Sequence, residues 1–220
     1  MTRQNPTLDA YGIIIQGCRI LGIPLQNEAV KKMVRHMELV RTWGTKINLT
    51  AVKEPQDMAV LHFLDSMTVL KVIPRGQGVR LLDIGTGAGF PGLVLSTADE
   101  TLSVTLLDRD PKKIVFLKHV ALELSLKRIA FLNMALRNLL HEGTINRFDF
   151  VVSRGFSSNA AVMDGLHILL NTGGSLIMMT GPSFSEKFTL KNFYLAQSWE
   201  GILPFSKKFR RVFRYQRTSE

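Results

Sequence analysis

The stretch Val79-Arg80-Leu81-Leu82-Asp83-Ile84-Gly85-Thr86-Gly87-Ala88-Gly89-Phe90-Pro91-Gly92 constrains this chain more than any other. A run of mostly apolar, strand-forming residues ends near an acidic side chain and passes into a turn with glycine at every second position. A further apolar run follows and can start a helix. A strand, a glycine turn and a helix in that order form the nucleotide-binding corner of an α/β sheet. Glycine serves there because a ligand must touch backbone, and a Cβ at Gly85, Gly87 or Gly89 would hold it off or block the turn.

Two cofactors suit such a turn. Gly87 to Gly92 fits the G-x-G-x-x-G pattern of dinucleotide-binding folds, a weak signal when it stands alone. Asp83 to Gly89 fits instead the acidic-x-Gly-x-Gly-x-Gly corner of S-adenosylmethionine-dependent methyltransferases, and that reading also employs Asp83. Ser103-Val104-Thr105-Leu106-Leu107-Asp108 then makes a second strand ending in a carboxylate, roughly twenty residues beyond the glycines, the usual reach to ribose hydroxyls.

The chain has 220 residues, enough for one α/β domain with a modest extension, and its 45% apolar content supplies a core. One cysteine, Cys18, excludes an internal disulfide framework and suits a reducing cytoplasm. The histidines are scattered without metal-ligand spacing, and no run approaches the roughly 18 apolar residues of a membrane span. A soluble cytoplasmic protein without metal is therefore expected. The net charge of +10 divides unevenly: residues 1–75 carry +4, residues 76–203 carry +1 and residues 204–220 carry +5. A nearly neutral sheet flanked by basic extensions is how a cofactor domain would be fitted for a polyanion such as RNA.

In chain order, apolar periodicity predicts helices over 7–22, capped by Thr7, over about 28–44, and over 55–73 with His62, Asp65 and Ser66 off the apolar face. Residues 46–52 read as a loop. From Val79 onward strands at 79–84, 103–108, 129–133, 148–153 and 174–180 alternate with helices near 91–98, 111–125, 134–141 and 158–170, which calls for a parallel sheet covered on both faces. A helix near 184–192 precedes two β-like runs, 195–203 and 209–216, joined by a short link, an antiparallel hairpin at the sheet edge. The fold class is thus α/β, a Rossmann-like class I methyltransferase sheet of seven strands with the last antiparallel. It divides into a helical extension, 1–75, and a methyltransferase domain with a basic C-terminal hairpin, 76–220.

Several short runs resemble one family, the glucose-inhibited division protein B family of 16S ribosomal RNA guanine-N7 methyltransferases. They are Asn48-Leu49-Thr50-Ala51-Val52, His62-Phe63-Leu64-Asp65-Ser66, Leu82 through Gly92, Leu106-Leu107-Asp108, Lys113 with Phe116-Leu117, and Ser153-Arg154-Gly155-Phe156-Ser157. The resemblance implies methyl transfer from S-adenosylmethionine to N7 of one guanine in the decoding-region stem-loop. It further implies that Asp83, Gly85, Gly87, Gly89, Phe90 and Asp108 bind the cofactor, that Leu136 and Arg137 flank its adenine, and that Arg154 sits between cofactor and target nucleotide. Met134 and Ala135 depart from the family where an arginine often stands, with Arg137 close enough to replace part of that charge. Thr180-Gly181 departs where Lys-Gly often ends the fifth strand. The family's C-terminal arginine aligns with Arg210.

Transfer from a sulfonium to guanine N7 is an in-line displacement onto a free lone pair and requires no general base, which agrees with a chain showing no nucleophile and base pair. Cys18, on the apolar face of a helix, suits no pyrimidine-C5 chemistry. Phe156 is placed to stack on an extruded guanine and Arg154 to offer it hydrogen-bond donors. The tail residues Lys207, Lys208, Arg210, Arg211 and Arg214 alternate with aromatics in the manner of an RNA-contacting edge. A charged edge strand guarded against aggregation gives the same pattern. The expected partner is 16S rRNA or the small ribosomal subunit, bound by a monomer. A methyltransferase for another RNA, and a non-catalytic RNA-binding protein that retains the fold, are the alternatives.

Overall fold

Alternation of strand and helix from residue 80 onward builds a seven-stranded sheet in the computed structural model, which describes residues 9–141, 147–155, 160–182 and 190–218. Its strands are β1 (Arg80–Ile84), β2 (Ser103–Asp108), β3 (Ile129–Asn133), β4 (Phe148–Arg154), β5 (Leu170–Thr180), β6 (Phe193–Ile202) and β7 (Phe209–Arg217). They lie in the order β3-β2-β1-β4-β5-β7-β6, with β7 antiparallel to both of its neighbours and every other pairing parallel. The terminal hairpin falls at the edge as expected, but its second strand is the inner one. The order reverses between β1 and β4, which makes their carboxyl ends the switch point where such sheets bind ligands.

Before the sheet come α1 (Ala10–Ile20), α2 (Asn27–Trp43) and one helical run that changes pitch: α3 (Pro55–Met58), a π-helical segment (Ala59–Leu64), α4 (Asp65–Met67) and a 3₁₀ turn (Thr68–Lys71). Asp9 caps α1, its Oδ1 accepting from Gly12 N at 2.7 Å; Thr7, expected in that role, lies outside the described residues. The sheet crossovers are α5 (Gly92–Ala98), α6 (Pro111–Glu123), α7 (Leu136–His141) and α8 (Ala160–Gly165), the last followed by a 3₁₀ turn (Leu166–Leu169). β5 begins four residues earlier than the sequence implied. Gly174 permits this, because a Cβ there would stand about 3 Å from the carbonyls of Asn171, Asp149 and Phe148, where β4 and β5 shift register. The helix expected near 184–192 lies mostly outside the described residues.

Side-chain alternation along the strands divides the apolar residues between two cores. Leu81, Val104, Leu106, Phe150, Val152 and Ile177 face the N-terminal helices, α5 and α6, while Leu82, Ile84, Leu107, Val151 and Leu176 face Leu139, Met163 and Leu166 on the other side. The N-terminal helices thus share one continuous core with the sheet. No helix among the described residues is long and apolar enough to cross a membrane.

His62, Asp65 and Ser66, read as lying off the apolar face, are all buried. The helical period located the face that meets α1 and missed the face that meets the sheet edge, since burial on two sides leaves no polar stripe to contrast with. At the α1 contact, a Cβ on Gly17 would lie 2.4 Å from Leu64 Cδ1, and Leu64 is itself fully buried with nowhere to retreat. Gly17→Ala should therefore lower the unfolding free energy by about 1–3 kcal/mol in urea titrations, although alanine is the better helix former. The Gly17→Ala/Leu64→Ala double variant should lose less than the two single variants combined; strict additivity would show that the two sites do not compete for space.

Candidate active site

The glycine turn is built from below. Asp83 is fully buried under it, with Oδ2 accepting from Gly92 N at 2.8 Å, and a Cβ on Gly92 would come within 2.7 Å of that oxygen and 2.4 Å of Leu106 Cδ2. Close approach of helix to strand is thus what Gly92 provides. Burial pushes the Asp83 carboxyl up to about 6, against the Thr86 hydroxyl, the Gly92 amide and the charge of Arg154, which pull it down. Asp83 Oδ1 and Thr86 Oγ1 are buried with no hydrogen-bond partner of good geometry.

Asp108, at the end of β2, holds the turn from the side. Its Oδ2 accepts from Gly87 N at 3.0 Å, its Oδ1 from Asp110 N at 3.0 Å, and its carbonyl from Asn133 Nδ2 at 3.0 Å, so the ends of β1, β2 and β3 are tied together. Gly85 and Gly87 take φ of +69° and +58°, the left-handed region, with no neighbour close to where a Cβ would stand. Their backbone faces open space rather than packing.

That space is a cleft of about 590 Å³ lined by Ile84, Gly85, Leu107 and Asp108 and, across from them, Met134, Ala135, Leu136 and Arg137, with Arg109 and Lys113 at its rim. Of the residues expected to bind the cofactor, Gly85, Asp108, Leu136 and Arg137 line this cleft. Asp83, Gly87 and Gly89 shape its floor and turn instead. Arg109 and Lys113 were not singled out for it, although Lys113 recurs one turn into α6 from the carboxylate-ended β2. The contents fit S-adenosylmethionine: an apolar slot for a purine, a carboxylate for ribose hydroxyls, bare glycine backbone and cations for a carboxylate.

Phe90 lies on the other side of the loop. It stacks between two histidines, His36 at 5.1 Å and 18° and His62 at 4.6 Å and 27°, with Phe63 edge-on at 5.2 Å. His36 Nε2 donates to the Ala88 carbonyl at 2.8 Å, so α2 grips the glycine loop directly. Arg154, at the end of β4, sets its guanidinium 5.3 Å from the Phe90 ring and donates from Nη1 to Leu61 O at 3.1 Å, with His62 Nδ1 3.2 Å from the same nitrogen. His62 Nδ1 stands within hydrogen-bond distance of both Arg154 Nη1 and, at 3.1 Å, Leu61 O, and its Nε2 lies 2.7 Å from Thr50 Oγ1. Burial, with the Arg154 charge, lowers the His62 pKa to about 4, so the ring is neutral near pH 7.

A second cleft of about 520 Å³ opens here, lined in part by Val52, His62, Asp65, Arg154, Thr180 and Lys208, with Arg210 beside them. The two N-terminal runs quoted above, around Thr50 and around His62, meet at this cleft, although in sequence they carried no assigned task. Phe156 lies outside the described residues. Of the tail cations, Lys207 and Lys208 are exposed, Arg210 donates to Asp65 Oδ1 at 3.0 Å, and Arg211 pairs with Glu200 at 3.3 Å. Arg214 is engaged within the fold, bonded to Ser175 Oγ and Val72 O over the Phe150 ring. Among the described residues no three His, Cys, Asp or Glu side chains gather as a metal site would require.

The family model described as rRNA small subunit methyltransferase G matches residues 29–201. A ribosomal RNA small subunit methyltransferase G of Clostridium botulinum is 32% identical over 183 residues, covering 83% of this chain and 77% of that one. Its counterpart in Acinetobacter baumannii is 34% identical over 166 residues, covering 76% and 78%. Among solved structures, a SAM-dependent methyltransferase from Aquifex aeolicus superposes with a TM-score of 0.52 at 16% identity, covering 74% of this chain and 93% of that one. TrmN from Thermus thermophilus gives 0.51 at 19%, covering 81% and 53%. At such identities these two likenesses speak to the fold.

The grip of α2 on the loop titrates. Burial lowers the His36 pKa from 6.5 to about 4. As pH falls below 6.5 the unfolded chain takes up a proton that the folded one refuses, so stability is lost between 6.5 and 4. His36→Phe retains a ring against Phe90 without that proton. Between about pH 7.5 and about pH 5 its unfolding free energy should fall by about 2 kcal/mol less than that of the parent chain; parallel losses would show that His36 is not held neutral.

Proposed function

Since the chain belongs to the rRNA small subunit methyltransferase G family, we propose that the cleft beside Gly85 holds S-adenosylmethionine and the cleft beside Arg154 receives the target guanine. Membership makes it an S-adenosylmethionine-dependent 16S rRNA methyltransferase, acting at guanine N7 in the decoding-region stem-loop. The observation that carries the assignment of the two clefts is their adjacency. One lies over the ends of β1, β2 and β3 and the other over the ends of β4 and β5, and Ile84 and Ser153 are paired where β1 meets β4.

The cofactor supplies the methyl group, on a sulfonium. Asp108 and Arg137 orient it, with Lys113 and Arg109 at the rim and bare backbone at Gly85 and Gly87 allowing close approach. Arg154, steadied by Leu61, His62 and Phe90, positions the target nucleotide, and Phe156 stacks on the extruded base. Guanine N7 presents a lone pair, so no side chain has to take a proton, and alignment with exclusion of water provides the rate. Arg137 on the first cleft compensates for Ala135, and Lys208 on the second for Thr180. Lys207, Lys208, Arg210 and Arg211 extend the RNA-facing edge, Arg214 serving the fold instead. A chain with one buried cysteine, its thiol pushed up to about 12 by burial, suits the reducing cytoplasm where rRNA is made. We take it to work there as a monomer.

Labelled methyl transfer from S-adenosylmethionine to 16S rRNA, supplied naked and as small subunits from cells lacking the protein, should yield 7-methylguanosine, and Arg154→Ala should abolish it. Asp108→Asn should weaken cofactor binding by about tenfold. Phe156→Ala should reduce methylation by about tenfold or more while cofactor affinity holds. Loss of both functions together in Phe156→Ala would remove that residue from the base-stacking role.

A further inference from the structure

Asp65 is buried at 4% exposure and faces two cations. Its Oδ1 accepts from Arg210 Nε at 3.0 Å, and its Oδ2 stands 3.8 Å from Arg154 Nη1. Burial pushes the Asp65 carboxyl up while both guanidinium groups pull it down. A carboxylate in so dry a place is tolerable only when it is paired. The two arginines come from β4 and β7, strands separated in the sheet by β5, and the fold brings both to one lip of the second cleft. Left to themselves they would repel; burial above all, and then the Arg210 charge, lowers the Arg154 pKa, against the pull of Asp65 and Asp83. The carboxylate between them offsets that repulsion.

Each guanidinium is also held from behind, Arg154 by Leu61 O and His62 Nδ1, Arg210 by Phe209 O at 3.1 Å. With Lys208 on the same cleft and His62 neutral, three cations meet a single carboxylate, a field that selects an anion. Fixed guanidinium forks match phosphate oxygens. The rival use of an arginine at guanine is a bidentate contact to O6 and N7, but that contact would cover the lone pair that has to receive the methyl group.

We propose that Asp65 is a positioning residue that holds Arg154 and Arg210 side by side as a clamp for one phosphodiester of the RNA strand entering the second cleft, with Lys208 as the third cation. The clamp rests on the RNA reading of that cleft. It gives the positioning by Arg154 an object, the backbone of the target nucleotide, and leaves N7 uncovered.

Two measurements decide it: binding of a 16S stem-loop RNA by fluorescence anisotropy over a salt series, and steady-state methyl transfer to the same RNA. Asp65→Asn should raise KM for RNA by about tenfold, with kcat and cofactor Kd within about twofold. It should also make the slope of log affinity against log salt shallower by about 0.7, the share of one phosphate on a single strand. Arg210→Lys, which retains the charge but not the Nε–H bonded to Asp65 or the planar guanidinium, should raise KM in the same direction. Combining the two substitutions should add little, because both open the same clamp. Unchanged KM and salt slope in both single variants overturns the clamp. So does a loss of cofactor affinity in step with RNA affinity, which is what a purely structural carboxylate would produce. RNA binding by the parent chain without methyl transfer counts instead against the substrate reading, and the salt series still decides the clamp.

Discussion

The contact on which the active site depends is the one between α2 and the glycine loop. A loop that exposes its backbone to a ligand has few side chains of its own to hold it, so its shape must be imposed from outside. His36 does this twice over, by a hydrogen bond to the Ala88 carbonyl and by a stack on Phe90, which His62 covers from the opposite side. Asp83 and Asp108 complete the hold by accepting from Gly92 and Gly87. Neutral rings suit the upper part of this arrangement, since a charge between three packed aromatics would have to be desolvated.

From that anchoring follows a division of labour along the carboxyl edge of the sheet. The loop and the ends of β2 and β3 enclose one cleft, and Arg154, whose guanidinium packs over Phe90 of the same loop, lines the other. The N-terminal helices and the loop between α2 and α3 are therefore part of the active site's construction: Thr50 in that loop, through His62, and His62 and Asp65 on the helical run order the arginine that faces the second cleft.

Much of this was legible without coordinates. β2 and β3 fall on the residues expected, because buried parallel strands are short apolar runs between unambiguous breaks, and the glycine turn sits where its spacing put it. Less legible were the places where two signals overlapped. The fifth strand read as starting at 174, but Gly173 and Gly174 belong to an irregularity inside β5, since glycine marks a bulge and a turn alike. The third helix read as uniform, yet it passes through a π segment, Ala59–Leu64, and is buried on two sides, so that His62 and Asp65 lie inside. Phe90 and Arg214, read as ligand contacts, are packed into the protein, because an aromatic or an arginine beside a motif has the same appearance whether it faces the ligand or supports the loop from behind.

The sequence by itself determined the sheet, its cofactor corner and its chemical class, since strand periodicity, glycine freedom and strand-end carboxylates act over a few neighbouring residues. Only the tertiary structure decided which charges meet. Arg154, Arg210 and Asp65 stand far apart in the chain, and their pairing depends on the strand order β4-β5-β7 and on the helix that packs across its edge. Electrostatic interaction depends on distance in space and on burial, and neither is written in the spacing of residues along a chain.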